Sequence, residues 1–271
     1  VIFRRPVGRG LALTVALVLG FGAACASEKP RPSTADNATT TTTTAASLGG
    51  NLTVLAAASL TESFNEIGKA FEALHPGTKV TFSYDASSAL ATQADNGAPA
   101  DLFASADAAN MKKVTDAGNA KDPKVFAHNR LALLVKKGNP KKIGSLKDLD
   151  KAGVSFVLCA VEVPCGKYGA QALAKAGVKA QPKSLEQNVK AVVTKVTTGQ
   201  VDAGIGYVTD AKAAAAQADA VGIPDELNVV AEYPIAVLKQ SANANLAYAF
   251  LDYVLGPDAQ AILARFGFTG P

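Results

Sequence analysis

Histidine is almost missing from this chain, with His75 and His128 the only two among 271 residues. Nucleophilic hydrolysis needs a positioned base beside its serine. His75 lies in "ALHPG", which ends a helical pattern, and His128 lies in a later segment, so neither falls beside a candidate nucleophile. That argues against a secreted serine hydrolase built on Ser59 or Ser87. Cysteine is equally scarce, with three residues: Cys25, Cys159 and Cys165. With no second Cys or His pair near Cys159 and Cys165, the set of ligands a zinc site needs is not there. The chain also has no heptad array and no internal repeat. Its longest leading apolar run, Gly10 to Ala24, has 15 residues, short of the roughly 20 that a membrane-spanning helix requires.

What is present begins with a leader. Arg4, Arg5 and Arg9 precede the apolar run, and small residues then lead to Cys25, the order of an export signal. The segment "GFGAACAS" resembles the lipobox of bacterial lipoproteins, with Gly22 where that box usually has leucine. The resemblance implies a signal over residues 1–25, lipidation of Cys25, and a protein exported and anchored on the outer face of the cytoplasmic membrane. Residues 26–48, rich in Thr, Ala and Pro and including "TTTTTT", carry too little apolar surface to offset their ordering entropy and read as a disordered tether. Three of the 27 basic residues leave with the leader and none of the 23 acidic ones do, which takes the formal charge from +4 to +1. The apparent basicity belongs to the leader and gives no case for nucleic-acid binding. In an oxidising compartment Cys159 and Cys165 are a disulfide candidate, a pair of buried free thiols being the other reading.

From residue 49 onward, short apolar runs alternate with helical patterns. "LTVLAAA" reads as a buried strand and "LTESFNEIGKAFEALH" as an amphipathic helix, with Phe64, Ile67, Phe71 and Leu74 at intervals of three and four. "TKVTFSYDA", "ADLFASAD", "VSFVLCA" and "DAGIGYV" read as further strands among helical segments, the alternation of an α/β protein. "DAKAAAAQADA" reads as a solvated helical turn.

One local grammar recurs. Ser59-Leu60-Thr61-Glu62 fits the capping box at a helix start. "YDASSALA", "VPCGKYG" and "EQNVKAVV" likewise carry a strand or turn end into a helix. Helix N-termini leave unpaired N–H groups and a partial positive charge, so several that converge make an anion site without lysine or arginine.

These segments, with "GAPADLFASAD", "GIGYVTDA", "EYPIAV" and "GPDAQAILARFGF", resemble in matching order the molybdate-binding proteins of ABC transporters, over nearly all of residues 50–270. The resemblance implies a two-lobed periplasmic-binding-protein fold of type II, each lobe a sheet flanked by helices with the ligand in the cleft. It places lobe 1 at 49–129 plus 234–271 and lobe 2 at 130–233. Carried onto matching positions, the oxyanion donors are Ser59, Ser87, Cys165 (alanine in familiar members), Val189 and Tyr207. Ser88 and Asp85 are candidates for supporting roles, and Asp85 is expected to point away from the anion or to accept backbone N–H bonds. The implied ligand is molybdate or tungstate, its metal reaching the protein only as the oxyanion, with no cofactor, an ABC permease as partner and a monomeric state. A sulfate or phosphate receptor of the same fold is the alternative, in which Asp85 would accept a proton from phosphate.

Overall fold

The computed structural model describes residues 48–271. The leader, Cys25 and the tether up to residue 47 lie outside the described residues.

The chain opens with β1 (Gly50–Ala57), a 3-10 turn (Ala58–Leu60) and α1 (Thr61–Leu74), followed by β2 (Thr78–Asp85), α2 (Ser87–Asp95), β3 (Leu102–Ala104) and α3 (Ala108–Asp116). A long strand, β4 (Lys124–Lys136), leads to β5 (Phe156–Cys159), α4 (Pro164–Lys175), β6 (Ser184–Glu186), α5 (Val189–Thr197), β7 (Ala203–Tyr207), α6 (Val208–Ala213) and β8 (Ala218–Gly222). The chain returns through β9 (Val230–Val237) and closes with α7 (Ala244–Leu255) and α8 (Pro257–Phe266).

The strands run in the order β2-β1-β3-β9-β4-β7-β5-β6, with β8 also on β4. β4 joins two sheets. Its first half, Lys124 to Arg130, pairs antiparallel with β9, and from Leu131 it pairs with β7 and β8 instead. This change of partner between Arg130 and Leu131, with β9 running back alongside, produces the two-lobed α/β fold.

Parallel pairing on both sides explains why β1 reads as a nearly continuous apolar run. β1 lies between β2 and β3, parallel to both, and is covered on both faces. Leu52, Val54 and Ala56 point into the core that holds α1, whereas Leu55 points to the opposite cluster with Leu90, Phe103, Met111 and Val114. α1 buries Phe64, Ile67 and Phe71 completely, its apolar stripe packing edge-on against Phe250 of α7. Each such side chain contributes about 1.5–3 kcal/mol on burial. Leu74, on the same periodic stripe, is exposed, because the helix ends there.

The alanine-rich segment departs from its sequence reading. Only its start belongs to α6; Ala218 to Gly222 form β8, antiparallel to Ala132–Lys136 of β4. Alanine favours helix locally, but the open edge of β4 offers a ladder of backbone partners, and Lys137 pairs with Asp219 at 2.8 Å to hold the register.

Candidate functional site

The carboxyl ends of β1, β2, β5 and β7, and the turn after β6, converge on one small pocket between the two sheets. Open α/β sheets place ligands outside their strand ends in this way. The pocket is narrow, and the side chains of its wall are almost entirely buried.

Ser59, Ser87, Cys165, Val189 and Tyr207 all line this pocket. They are 1–4% exposed. Asp85 lines it too, whereas Ser88 is not part of the wall and its carbonyl accepts the Thr92 hydroxyl. Both sheets contribute: Ser59, Asp85 and Ser87 come from the first, Cys165, Val189 and Tyr207 from the second.

Four helical starts meet here. Ser87 and Val189 are the first residues of α2 and α5, Cys165 the second of α4, and Ser59 sits in the 3-10 turn before α1. First-turn N–H groups have no intrahelical acceptor. α2 and α4 also lack any side-chain cap, while α5 is capped by Asn188, whose Oδ1 accepts from Ala191 N–H at 3.1 Å. Among the described residues no lysine, arginine or histidine lines the pocket. Positive potential therefore comes from the backbone.

Ser59 is not the helix cap that its S-x-x-E pattern suggests. The 3-10 turn carries it inside the pocket wall, and its hydroxyl bonds the Tyr233 hydroxyl at 2.8 Å. Glu62, the other half of the box, instead binds Lys190 of α5 at 2.8 Å. Ser87 Oγ accepts the Ala106 N–H at 2.9 Å. An N–H can only donate, so the Ser87 proton is left to point elsewhere, and the pocket is the space beside it.

Tyr207 completes the wall from the end of β7. Its hydroxyl is buried with no protein hydrogen-bond partner among the described residues, a cost of about 1–3 kcal/mol unless a ligand accepts it. Burial pushes the phenol well above the usual tyrosine range, which keeps it a proton donor. Asp85 Oδ1 accepts the N–H of Ala86 at 2.7 Å and the side-chain amide of Asn188 at 3.0 Å. That second bond spans the two sheets, as does Lys190 with Glu62.

Cys159, at the end of β5, is disulfide-bonded to Cys165, with 5.7 Å between the Cα atoms. The next residue must be glycine. A Cβ on Gly166 would fall 1.9 Å from the Ala160 carbonyl oxygen, so the cystine and the close backbone approach together fix the first turn of α4.

Sequence reasoning assigned nothing to Tyr233 or Asn129. Tyr233 stands 174 residues from Ser59, in "EYPIAV", and no spacing rule links positions so far apart.

A buried pocket between two α/β sheets, walled by helix N-termini and serine hydroxyls, is the arrangement of a solute-binding receptor. Residues 52–269 match the bacterial extracellular solute-binding proteins, and the chain belongs to that family. It is 40% identical over 268 residues to the molybdate-binding protein ModA of Mycobacterium tuberculosis, covering 98% of this chain and 100% of that one. Among solved structures it resembles the periplasmic molybdate-binding protein of Azotobacter vinelandii, with a TM-score of 0.73 at 22% identity over 81% of this chain and 99% of that one. It also resembles the sulfate-binding protein SubI of Mycobacterium tuberculosis, with a TM-score of 0.75 at 23% identity over 81% and 86%. Members of this family are exported and take their ligand as cargo, without a cofactor.

Proposed function

We propose that this protein is the extracytoplasmic receptor that captures molybdate, and tungstate with it, for an ABC import permease. The observation that carries the reading is the unpartnered Tyr207 hydroxyl, buried among four helical starts with no cation in the pocket wall. Such a site suits a small dianion that brings acceptors and no proton. Ser59, Ser87 and Tyr207 would donate hydroxyls, and the N–H groups of Ser59, Ser87, Cys165 and Val189 would complete a shell around a tetrahedral oxyanion. Among the described residues no cluster of His, Cys, Asp or Glu could ligate a metal ion. In this reading the metal enters only inside its oxyanion. The lobes would be 49–129 plus 234–271 and 130–233; the change of pairing in β4, between Arg130 and Leu131, supports the first crossing between them. The receptor acts as a monomer in this reading.

Isothermal titration of the purified protein with molybdate, tungstate, sulfate and phosphate tests the ligand. Molybdate and tungstate should bind well ahead of the other two, because donors set for a larger tetrahedron cannot all reach a smaller one. Preference for sulfate would move the protein to the sulfate receptors. Preference for phosphate would make Asp85 a proton acceptor, although its Oδ1 already holds two donors.

The anchor is a separate proposal. Cys25 follows small residues and precedes a Thr-rich tether, and the multiple acyl chains of a lipoprotein hold a membrane firmly where one chain does not. In the expressing bacterium, Cys25→Ser should shift the protein from the membrane pellet to the soluble fraction. Continued pelleting would overturn lipidation at Cys25.

A further inference from the structure

The pocket wall does not explain why Ser59 would donate. Its hydroxyl touches another hydroxyl, and either could be the donor. The direction is set one layer deeper, at Asn129 on β4. Asn129 Oδ1 accepts the Arg130 N–H at 2.9 Å. The opposite amide orientation would set donor against donor, so the side chain cannot be reversed. Its Nδ2 therefore faces inward, donating to Thr209 Oγ1 at 2.9 Å and, over a longer 3.4 Å, to the Tyr233 hydroxyl. Asn129 is 1% exposed and Tyr233 fully buried, so water does not compete for these groups.

The chain of donors then runs one way. The Tyr233 oxygen receives the amide proton and sends its own toward Ser59 Oγ. Ser59, now an acceptor from Tyr233, has its proton left for the pocket. Burial also pushes the Tyr233 phenol up, so it stays protonated. We infer that Asn129 and Tyr233 are positioning residues that orient the Ser59 hydroxyl as a donor to the bound oxyanion, acting through Ser59 and not by touching the ligand. Both stand on the strands that connect the two sheets, so the donor is set from β4 and β9.

This inference rests on the oxyanion reading of the pocket, and titration of the unmodified protein tests that reading separately; whichever of the four anions binds best serves as the probe for the variants. Tyr233→Phe is measured alone and in a Ser59→Ala background, with a thermal melt of each variant. Losing a polarised, charge-directed hydrogen bond should weaken the anion by about tenfold in the protein that keeps Ser59. In the Ser59→Ala background the same change should cost less than about twofold, because coupled residues are not additive. Asn129→Leu should show the same dependence on Ser59; if it fails to fold, Tyr233→Phe carries the test, since its partner Asn129 keeps Thr209. Equal losses in both backgrounds, or no loss in either, would overturn the inference, the first by making Tyr233 a packing residue and the second by leaving Ser59 oriented without it.

Discussion

Tyr207→Phe should weaken molybdate binding by about 10- to 150-fold, the equivalent of a charge-assisted hydrogen bond of roughly 1.5–3 kcal/mol. The ligand-free protein should melt no lower than the parent. These opposite signs come from one atom. The Tyr207 hydroxyl is buried without a partner among the described residues, so removing it relieves a desolvation cost when no ligand is bound and removes a donor when one is. The ring itself, packed edge-on against Tyr233 at 6.2 Å between centroids, is kept by phenylalanine. A relief of about 1 kcal/mol would raise the midpoint by about 2–4 °C for a domain of this size. Calorimetric titration and a melt of the ligand-free variant decide the matter. A lower midpoint with unchanged affinity would make the hydroxyl an ordinary structural group.

The largest loss of stability is expected from Lys190→Met. Lys190 Nζ binds both Glu62 oxygens at 2.8 and 2.9 Å and lies 3.1 Å from Asp210 Oδ1. The Asp210 side chain is fully buried, with the Tyr207 N–H on its other oxygen at 3.2 Å. Removing the cation from a buried pair typically costs about 3–5 kcal/mol, and partial exposure of Lys190 and Glu62 moves the expectation to the lower end. The pH dependence has a definite sign. Burial already pushes the Asp210 carboxyl above the usual carboxylate range against the pull of Lys190, and without that pull it rises further. A carboxyl raised in the folded state contributes stability that is present below its unfolded value and lost as pH rises through the folded value. The gap between parent and variant should therefore be widest near neutrality and narrow on acidification. Urea unfolding at pH 7 and at about pH 5 reads that gap, and Lys190→Met with Asp210→Asn should recover most of the loss. A gap that ignores both pH and the second substitution would mean that Lys190 acts through packing alone.

How far the sequence alone reached depends on the range over which each feature is decided. α1 was legible because its apolar stripe is a local period, and β1 because a strand covered on both faces carries an unbroken apolar run, here Val54 to Ala57. β8 was not: alanine prefers helix over short range, and the edge of β4, some eighty residues earlier in the pairing of Val135 with Asp219, decided otherwise. The resemblance named five donor positions, and these surround one pocket. The pairing of Ser59 with Tyr233, the amide of Asn129 behind it and the Lys190 contact with Glu62 depend on elements from distant parts of the chain. The capping box at Ser59 was a genuine local signal, overridden because the 3-10 turn places that serine one layer deeper than a cap.

In the function proposed above, the divided pocket wall would govern how the cargo leaves. Ser59 and Ser87 ride on one half of the molecule, Cys165, Val189 and Tyr207 on the other. No single counter-ion stays with the anion when the halves part. Each half would keep an incomplete set of uncharged donors, and water would refill the remaining coordination. Hand-over would then be a matter of mechanical separation: the proposed permease, by prying the halves apart, would need neither to protonate the cargo nor to outbid a fixed charge for it.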